Sequence, residues 1–241
     1  MVTPKYELLV IGAGGTGGYF IKEFSRFVQS RSLPLLKSIN IADGDVVEDH
    51  NLERQSFIKQ DVGRKKATVL TEVINSSMGT SWRCYPKYIL SVKDLEDIFD
   101  EGTIPIIIGA VDNHGCRLLV EDFFNKSENC IVLDSANEIE SGEVVCTAKI
   151  EGKKLSPLRS EIFPDLKKGD VRNVNEMSCE ELNIHMPQHI CTNMLAGNIL
   201  LSVVCKLLES RELTLGMTAY NAHDMSMQFI DMTDKAVIKA A

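Results

Sequence analysis

Residues 7–18 read Glu7-Leu-Leu-Val-Ile-Gly-Ala-Gly-Gly-Thr-Gly-Gly18, and the fold follows from them. Glu7–Ile11 is a short apolar run stopped by glycine, the pattern of a strand buried on both faces. The turn that follows carries Gly12, Gly14, Gly15 and Gly17 in a Gly-x-Gly-x-x-Gly arrangement. Glycine lets the backbone turn tightly and come close to a phosphate or a ribose. A helix start beyond it adds N–H groups and a positive dipole end. Phe20, Ile21, Phe24, Phe27 and Val28 then recur at the spacing of one helix face. Strand, glycine turn and amphipathic helix in that order lift a weak motif to a nucleotide-binding one; the competing reading is a glycine turn with a structural role only.

The next strand, Ser38–Ala42, opens onto Asp43-Gly-Asp-Val-Val-Glu-Asp-His-Asn-Leu-Glu-Arg-Gln55, with Gly63-Arg-Lys-Lys66 shortly after. Asp43, Asp45, Asn51, Arg54, Gln55 and Lys66 would fan out past the carboxyl end of a buried strand, where open α/β sheets bind ligands. Acids that accept from sugar hydroxyls, followed by cations that oppose phosphate oxygens, suit a ribose next to phosphate. A solvated charged loop is the alternative for any one of these residues.

Further along, helices are expected over Lys65–Ser76, Val92–Phe99 and Leu118–Phe124, and strands over Ser81–Ile89, Ile104–Ala110 and Cys130–Asp134. This alternation predicts a Rossmann-like, doubly wound, mostly parallel sheet with helices on both faces. After residue 135 the rhythm changes. A strand over Glu143–Ile150 precedes a polar stretch, Lys153–Met177, with no strong period, expected to be a mobile loop over a site. The apolar segment 188–208 reads as a buried helix in the core or at a subunit interface. Residues 218–232 close the chain as an antiparallel hairpin turning near His223-Asp224. The whole, 1–241, is expected to be a single domain: a nucleotide-binding part, 1–135, and a part of crossover loop, helix and hairpin, 136–241.

The charge balance, 34 acidic against 26 basic side chains and a net charge of −8, argues against nucleic-acid or anionic-membrane partners. No uninterrupted run of about 18 apolar residues spans a bilayer, and no signal-peptide pattern opens the chain. A cytoplasmic location is expected. The seven cysteines, at 84, 116, 130, 146, 179, 191 and 205, include no Cys-x-x-Cys pair; neither a disulfide framework nor a zinc site is indicated.

Taken together, Gly-x-Gly-Gly-x-Gly (12–17), Asp-x-Asp…Asn-x-x-Arg-Gln (43–55), Gly-x-x-Lys (63–66) and Asp-Asn-x-x-x-Arg (112–117) resemble the ThiF/MoeB superfamily, the adenylating enzymes related to ubiquitin-activating enzyme. Arg54-Gln-Ser-Phe, Lys66-Ala and Met78-Gly-Thr-Ser-Trp82 are similar to ThiF-type proteins of PRTRC systems, which also encode ubiquitin-like and conjugating-enzyme-like proteins. The resemblance implies a homodimer that uses ATP and magnesium to adenylate the C-terminal carboxylate of a ubiquitin-like β-grasp protein. It implies that Asp43 accepts ribose hydroxyls, that Asn51, Arg54 and Lys66 hold phosphates, and that Asp112 coordinates magnesium. Asn113 and Arg117 follow as further nucleotide contacts.

Cys179 resembles the position where relatives place an acyl-accepting cysteine. A helix start near Pro187 would lower its pKa and Glu180 and Glu181 would raise it, so an acyl carrier and an idle cysteine both stand. The chain lacks the paired Cys-x-x-Cys motifs of many relatives, and no zinc is expected. About five residues precede the first strand, so the arginine that some relatives lend to a partner subunit from an N-terminal helix is expected to be missing or to come from elsewhere; Arg31, Arg159 and Arg172 are the candidates to replace it. Two other readings remain, an NAD-dependent oxidoreductase and a nucleotide-fold relative that only binds a partner protein.

Overall fold

The computed structural model describes residues 5–167 and 188–233. A sheet of nine strands runs through it in the order β3-β2-β1-β4-β5-β6-β8-β9, with β7 paired to β6. β1 (Tyr6–Ile11) lies at the centre, parallel to β2 (Leu36–Ala42) on one side and β4 (Ile104–Gly109) on the other. β3 (Arg83–Tyr85) and β5 (Cys130–Asn137) extend this parallel half outward. The chain leaves β1 towards β2 and β3, then returns to the other side of β1 at β4. That reversal opens a crevice at the carboxyl ends of β1 and β4, the topological switch point of the sheet.

Both faces of the parallel half are covered, which explains the unbroken apolar strands. Leu8, Val10, Ile106 and Ile108 pack against Phe20 and Phe24 of α1 (Gly15–Gln29), α2 (Lys66–Met78) and α6 (Ile190–Ser210). Leu9, Ile11 and Ile107 face the other way, onto α3 (Val92–Glu96) and α4 (His114–Lys126). α6 has the length and mean hydropathy of a membrane-crossing helix. Here it crosses α1 so closely that a methyl on Gly197 would lie 3.2 Å from the Phe20 nitrogen, with Ala196, Leu200 and Val204 in the core. Ile190 and Met194 remain exposed on its outer side.

Beyond β5 the sheet turns antiparallel through β6 (Ser141–Ile150), β8 (Gly216–Asn221) and β9 (Ser226–Asp231). The expected hairpin is these last two strands. The strand expected over Ser81–Ile89 is only three residues long, Arg83–Tyr85, and the helix expected over Val92–Phe99 ends at Glu96. α4 begins four residues earlier than its apolar pattern, because the Asn113 side chain caps it by accepting from the Cys116 N–H at 3.0 Å.

The described part of the expected mobile loop is packed instead. β7 (Lys153–Lys154) pairs with β6, α5 (Arg159–Ile162) follows, and Leu158, Arg159 and Ser160 are all buried. These elements are too short to leave a period in the sequence, and Arg159 is a charged residue buried through ion pairing. Arg172 and Cys179 lie outside the described residues.

Candidate functional site

At the switch point the carboxyl ends of β1, β2 and β4 surround a cleft of about 640 Å³. Gly12, Gly14, Gly15, Asp43, Asp45, Asn51, Arg54, Gln55, Lys66, Asp112, Asn113 and Arg117 all line it. Gly17 does not. It lies in the first turn of α1, where a Cβ would approach the Gly12 carbonyl oxygen to 1.9 Å. Gly17 therefore lets the turn settle onto the helix. Gly12 has φ +94° and sits against the Ala110 carbonyl, a backbone state that L side chains rarely adopt. The N-terminus of α1 carries no side-chain cap and no acid in its first turn, so its N–H groups face the cleft with their positive dipole end uncompensated.

Asp43 ties this turn to β2. Its Oδ2 accepts from the Ala13 N–H at 2.6 Å and its Oδ1 from the Asp45 N–H at 2.7 Å. Burial, with the charge of Asp45 adding to it, pushes the Asp43 carboxyl up to about 6 against the opposing pull of Lys66 and the two N–H groups. Each oxygen keeps acceptor capacity for a further donor.

Lys66, the first residue of α2, is buried and reaches Asp45 Oδ2 at 2.9 Å, while the Tyr88 hydroxyl donates to Asp45 Oδ1 at 2.6 Å. Burial acts to raise the Asp45 carboxyl, but the Lys66 charge and these hydrogen bonds outweigh it and leave it below its ordinary range. The Tyr88 ring lies against Gly44, where any Cβ would meet it at 2.5 Å.

The two arginines differ in kind. Arg54, half-buried at the cleft wall, makes no side-chain hydrogen bond or ion pair among the described residues. Arg117 is engaged internally. It donates to Asp134 Oδ1 at 3.1 Å and to the Val111 and Ser135 carbonyls at 2.5 and 2.9 Å. Asp134 is also held from its other side by Arg159, whose Nε lies 2.8 Å from Oδ2, close enough for an ion pair though not aligned for a hydrogen bond. Arg159 further bonds Glu143 Oε1 at 2.6 Å. The Asn113 side-chain oxygen is likewise committed, to capping α4. Arg31, just past the end of α1, pairs with Glu209 in the last turn of α6, at the end of α1 away from the glycine turn.

Asp112 is exposed at the cleft mouth. Among the described residues no group of three His, Cys, Asp or Glu side chains gathers to hold a metal on its own.

The sequence reading missed one wall. Thr16, Asn137 and Asn193 form a hydrogen-bonded cluster there: Asn137 Nδ2 donates to Thr16 Oγ1 at 2.7 Å and to Asn193 Oδ1 at 3.0 Å. Asn193 is 1% exposed, and its Nδ2 has no partner among the described residues, a state that costs about 1–3 kcal/mol. The clue was a polar Thr192-Asn193 pair near the start of a mostly apolar helix. Gln55 Oε1 and His50 Nε2 are also buried at the cleft without partners among the described residues.

A glycine turn, an uncapped helix start, acids on β2 and cations on one wall, all at the switch point of a mostly parallel sheet, define a Rossmann-like α/β protein. The ThiF family model matches residues 4–237, and the chain belongs to that family. Its fold is similar to that of E. coli MccB crystallised with AMPCPP and selenomethionyl MccA, with TM-score 0.68, 16% identity, and coverage of 96% of this chain and 65% of MccB. E. coli MccB with ATP gives TM-score 0.69, 15% identity and the same coverage of 96% and 65%. PaaA gives TM-score 0.66 and 14% identity over 94% of this chain and 72% of PaaA. The chain thus spans slightly less than two thirds of the length of MccB. No curated protein matches the sequence significantly.

Proposed function

We propose that the protein binds ATP in the switch-point cleft and adenylates the C-terminal carboxylate of a polypeptide, a ubiquitin-like β-grasp protein. One observation carries the reading: Arg54, without a partner among the described residues, and Lys66 share a cleft with the uncapped start of α1. Attack of a carboxylate on a phosphate brings two anions together, so its barrier is largely electrostatic, and fixed positive groups lower it. A carboxylate oxygen bonds to the α-phosphorus as the bond from that phosphorus to the bridging oxygen of the β-phosphate breaks. Pyrophosphate leaves with the electron pair, and no proton moves.

In this arrangement Asp43 takes the ribose hydroxyls on its remaining lone pairs, and Arg54 and Lys66 take phosphate oxygens. Asn51, buried at the same wall, adds a polar contact. A single accessible carboxylate such as Asp112 fits magnesium, which is usually held by one or two carboxylates together with phosphate oxygens and waters. Asp112 would hold the ion, whose charge would offset that gathering on the pyrophosphate. An NAD-dependent reaction has no need of Arg54 and Lys66 as a pair.

ThiF-family membership supports the reading, as does a fold shared with MccB, which has been crystallised with ATP and with MccA. The PRTRC-like stretch between residues 54 and 82 supports the ubiquitin-like partner. Onward transfer to Cys179 as a thioester, and a homodimer built on the exposed apolar side chains of α6 and β9, complete the proposal.

The test is ATP–pyrophosphate exchange with a co-encoded ubiquitin-like protein, where magnesium-dependent exchange that needs an intact C-terminal carboxylate is expected. If ATP binds and no carboxyl protein stimulates exchange, the binding-only reading takes its place.

A further inference from the structure

We propose that Asn193 and the N-terminus of α1 form the subsite that seats the reacting carboxylate, with Asn193 as its positioning residue. The inference rests on the adenylation reading and assigns a second wall of the same cleft.

The orientation of Asn193 is assigned from the hydrogen bonds around it. The Tyr220 hydroxyl lies 2.7 Å from Asn137 Oδ1 and donates to it, which turns Asn137 Nδ2 towards Thr16 and Asn193. Asn193 must then present Oδ1 as acceptor, and Thr16 Oγ1 donates to that same oxygen at 3.2 Å. The amide nitrogen is left facing Gly15, where a Cβ would lie 2.5 Å from it. A buried donor without a partner among the described residues thus points at the first turn of a helix that has no side-chain cap. An N–H donor beside uncapped backbone N–H groups calls for an oxygen ligand carrying negative charge.

Two oxyanions could meet this description, a phosphate of the nucleotide and the carboxylate of the acceptor polypeptide. The geometry favours the carboxylate. The cations Arg54 and Lys66 belong to the segment after β2, whereas Asn193 comes from α6 and is braced by Asn137 at the end of β5. Phosphates are drawn to the charged wall. A neutral amide and a helix start suit a nucleophile, since they orient it without a full positive charge that would damp its attack. The oxygen that does not attack stays on Asn193 Nδ2 and becomes the carbonyl of the acyl-adenylate.

Binding of two non-reactive adenylate analogues to the full chain separates these sources. One is 5′-O-sulfamoyladenosine; the other is 5′-O-(N-glycylsulfamoyl)adenosine, which adds the acyl carbonyl together with the glycyl ammonium and an ionised acylsulfamate nitrogen, so the comparison is made between wild type and variants. The wild type should bind the glycyl compound more tightly. Asn193→Asp, which keeps the acceptor oxygen and replaces the donor, should lose about tenfold or more of that preference. Its affinity for the unacylated compound should stay near wild type, which also reports that the cleft has folded. Asn193→Ala should lose the preference in the same way. Equal weakening of both compounds would assign Asn193 to the nucleotide and overturn the proposal, as would a preference that survives in both variants. If the wild type binds neither compound nor ATP, the adenylation reading fails and this proposal with it. If it binds both equally, only the carboxylate subsite is refuted.

Discussion

Asp43→Asn separates what the carboxylate does for the fold from what its charge costs. The carboxyl is held at about 6 in the folded protein against 3.8 ordinarily. Between those values the folded state keeps a proton that the unfolded chain has released. Stability must therefore fall as pH rises through that window, and stay low above it. At 1.36 kcal/mol per pKa unit the loss from this one group is about 3 kcal/mol. The amide cannot titrate. It does place an NH2 group against either the Ala13 or the Asp45 N–H, a penalty that does not change with pH.

The expected result is a wild-type stability curve that drops relative to Asp43→Asn by about 3 kcal/mol between roughly pH 4 and pH 7. The variant is the weaker protein at the acid end and nearly level at the neutral end. Urea unfolding can be followed by the single tryptophan, Trp82, which is buried against Phe24. Parallel curves across this range would refute the assignment of a strained, proton-holding carboxyl to the glycine turn.

Arg54→Ala should cut pyrophosphate exchange by about 10²–10³-fold with stability unchanged to within about 0.5 kcal/mol, measured by urea midpoint. Lys66→Ala should cost a similar factor in exchange and also about 1–2 kcal/mol of stability, moderated because its partner Asp45 is 38% exposed. Gly17→Ala should abolish nucleotide binding or soluble expression, because no rotamer avoids a contact made by the Cβ itself. Asp134→Asn should lower the thermal midpoint by roughly 10 °C, from about 3–5 kcal/mol lost when two buried guanidinium groups share a neutral partner. Sedimentation should show a dimer at micromolar concentration that Phe229→Asp on β9 dissociates; a monomeric wild type would rule out that interface.

The parallel half of the sheet was legible because its strands are covered on both faces and leave unbroken apolar runs between glycine or acidic turns. The wall carrying Asp43, Asp45, Arg54 and Lys66 was legible for a related reason, since those residues follow one strand within a short span. Asn137 and Asn193 were not. They lie 121 and 177 residues from Thr16 and 56 from each other, and antiparallel strands and a crossing helix bring them together with no spacing rule to show it. Arg117 lines the cleft as its motif suggests, yet the sequence hid its second role. Its place in a motif suggested a ligand contact, while burial beside Asp134 gives it an internal partner. Arg159 escaped notice as structure because its four-residue helix is too short to carry a period.

Asp134 closes a circuit between regions that the chain order separates. Arg117 comes from α4, in the first 135 residues, and Arg159 from α5, in the remainder, yet both terminate on one carboxylate of β5. If α5 lifted away alone, it would strip the carboxylate of one cation and leave Glu143, on β6, without its guanidinium partner. If α4 opened alone, the same carboxylate would lose the other. Neither half can loosen without leaving a charge stranded in the other, so the division at residue 135 is a feature of topology and not of cooperativity. The described chain should therefore melt in one transition, and cleavage near residue 135 should bring down both fragments together.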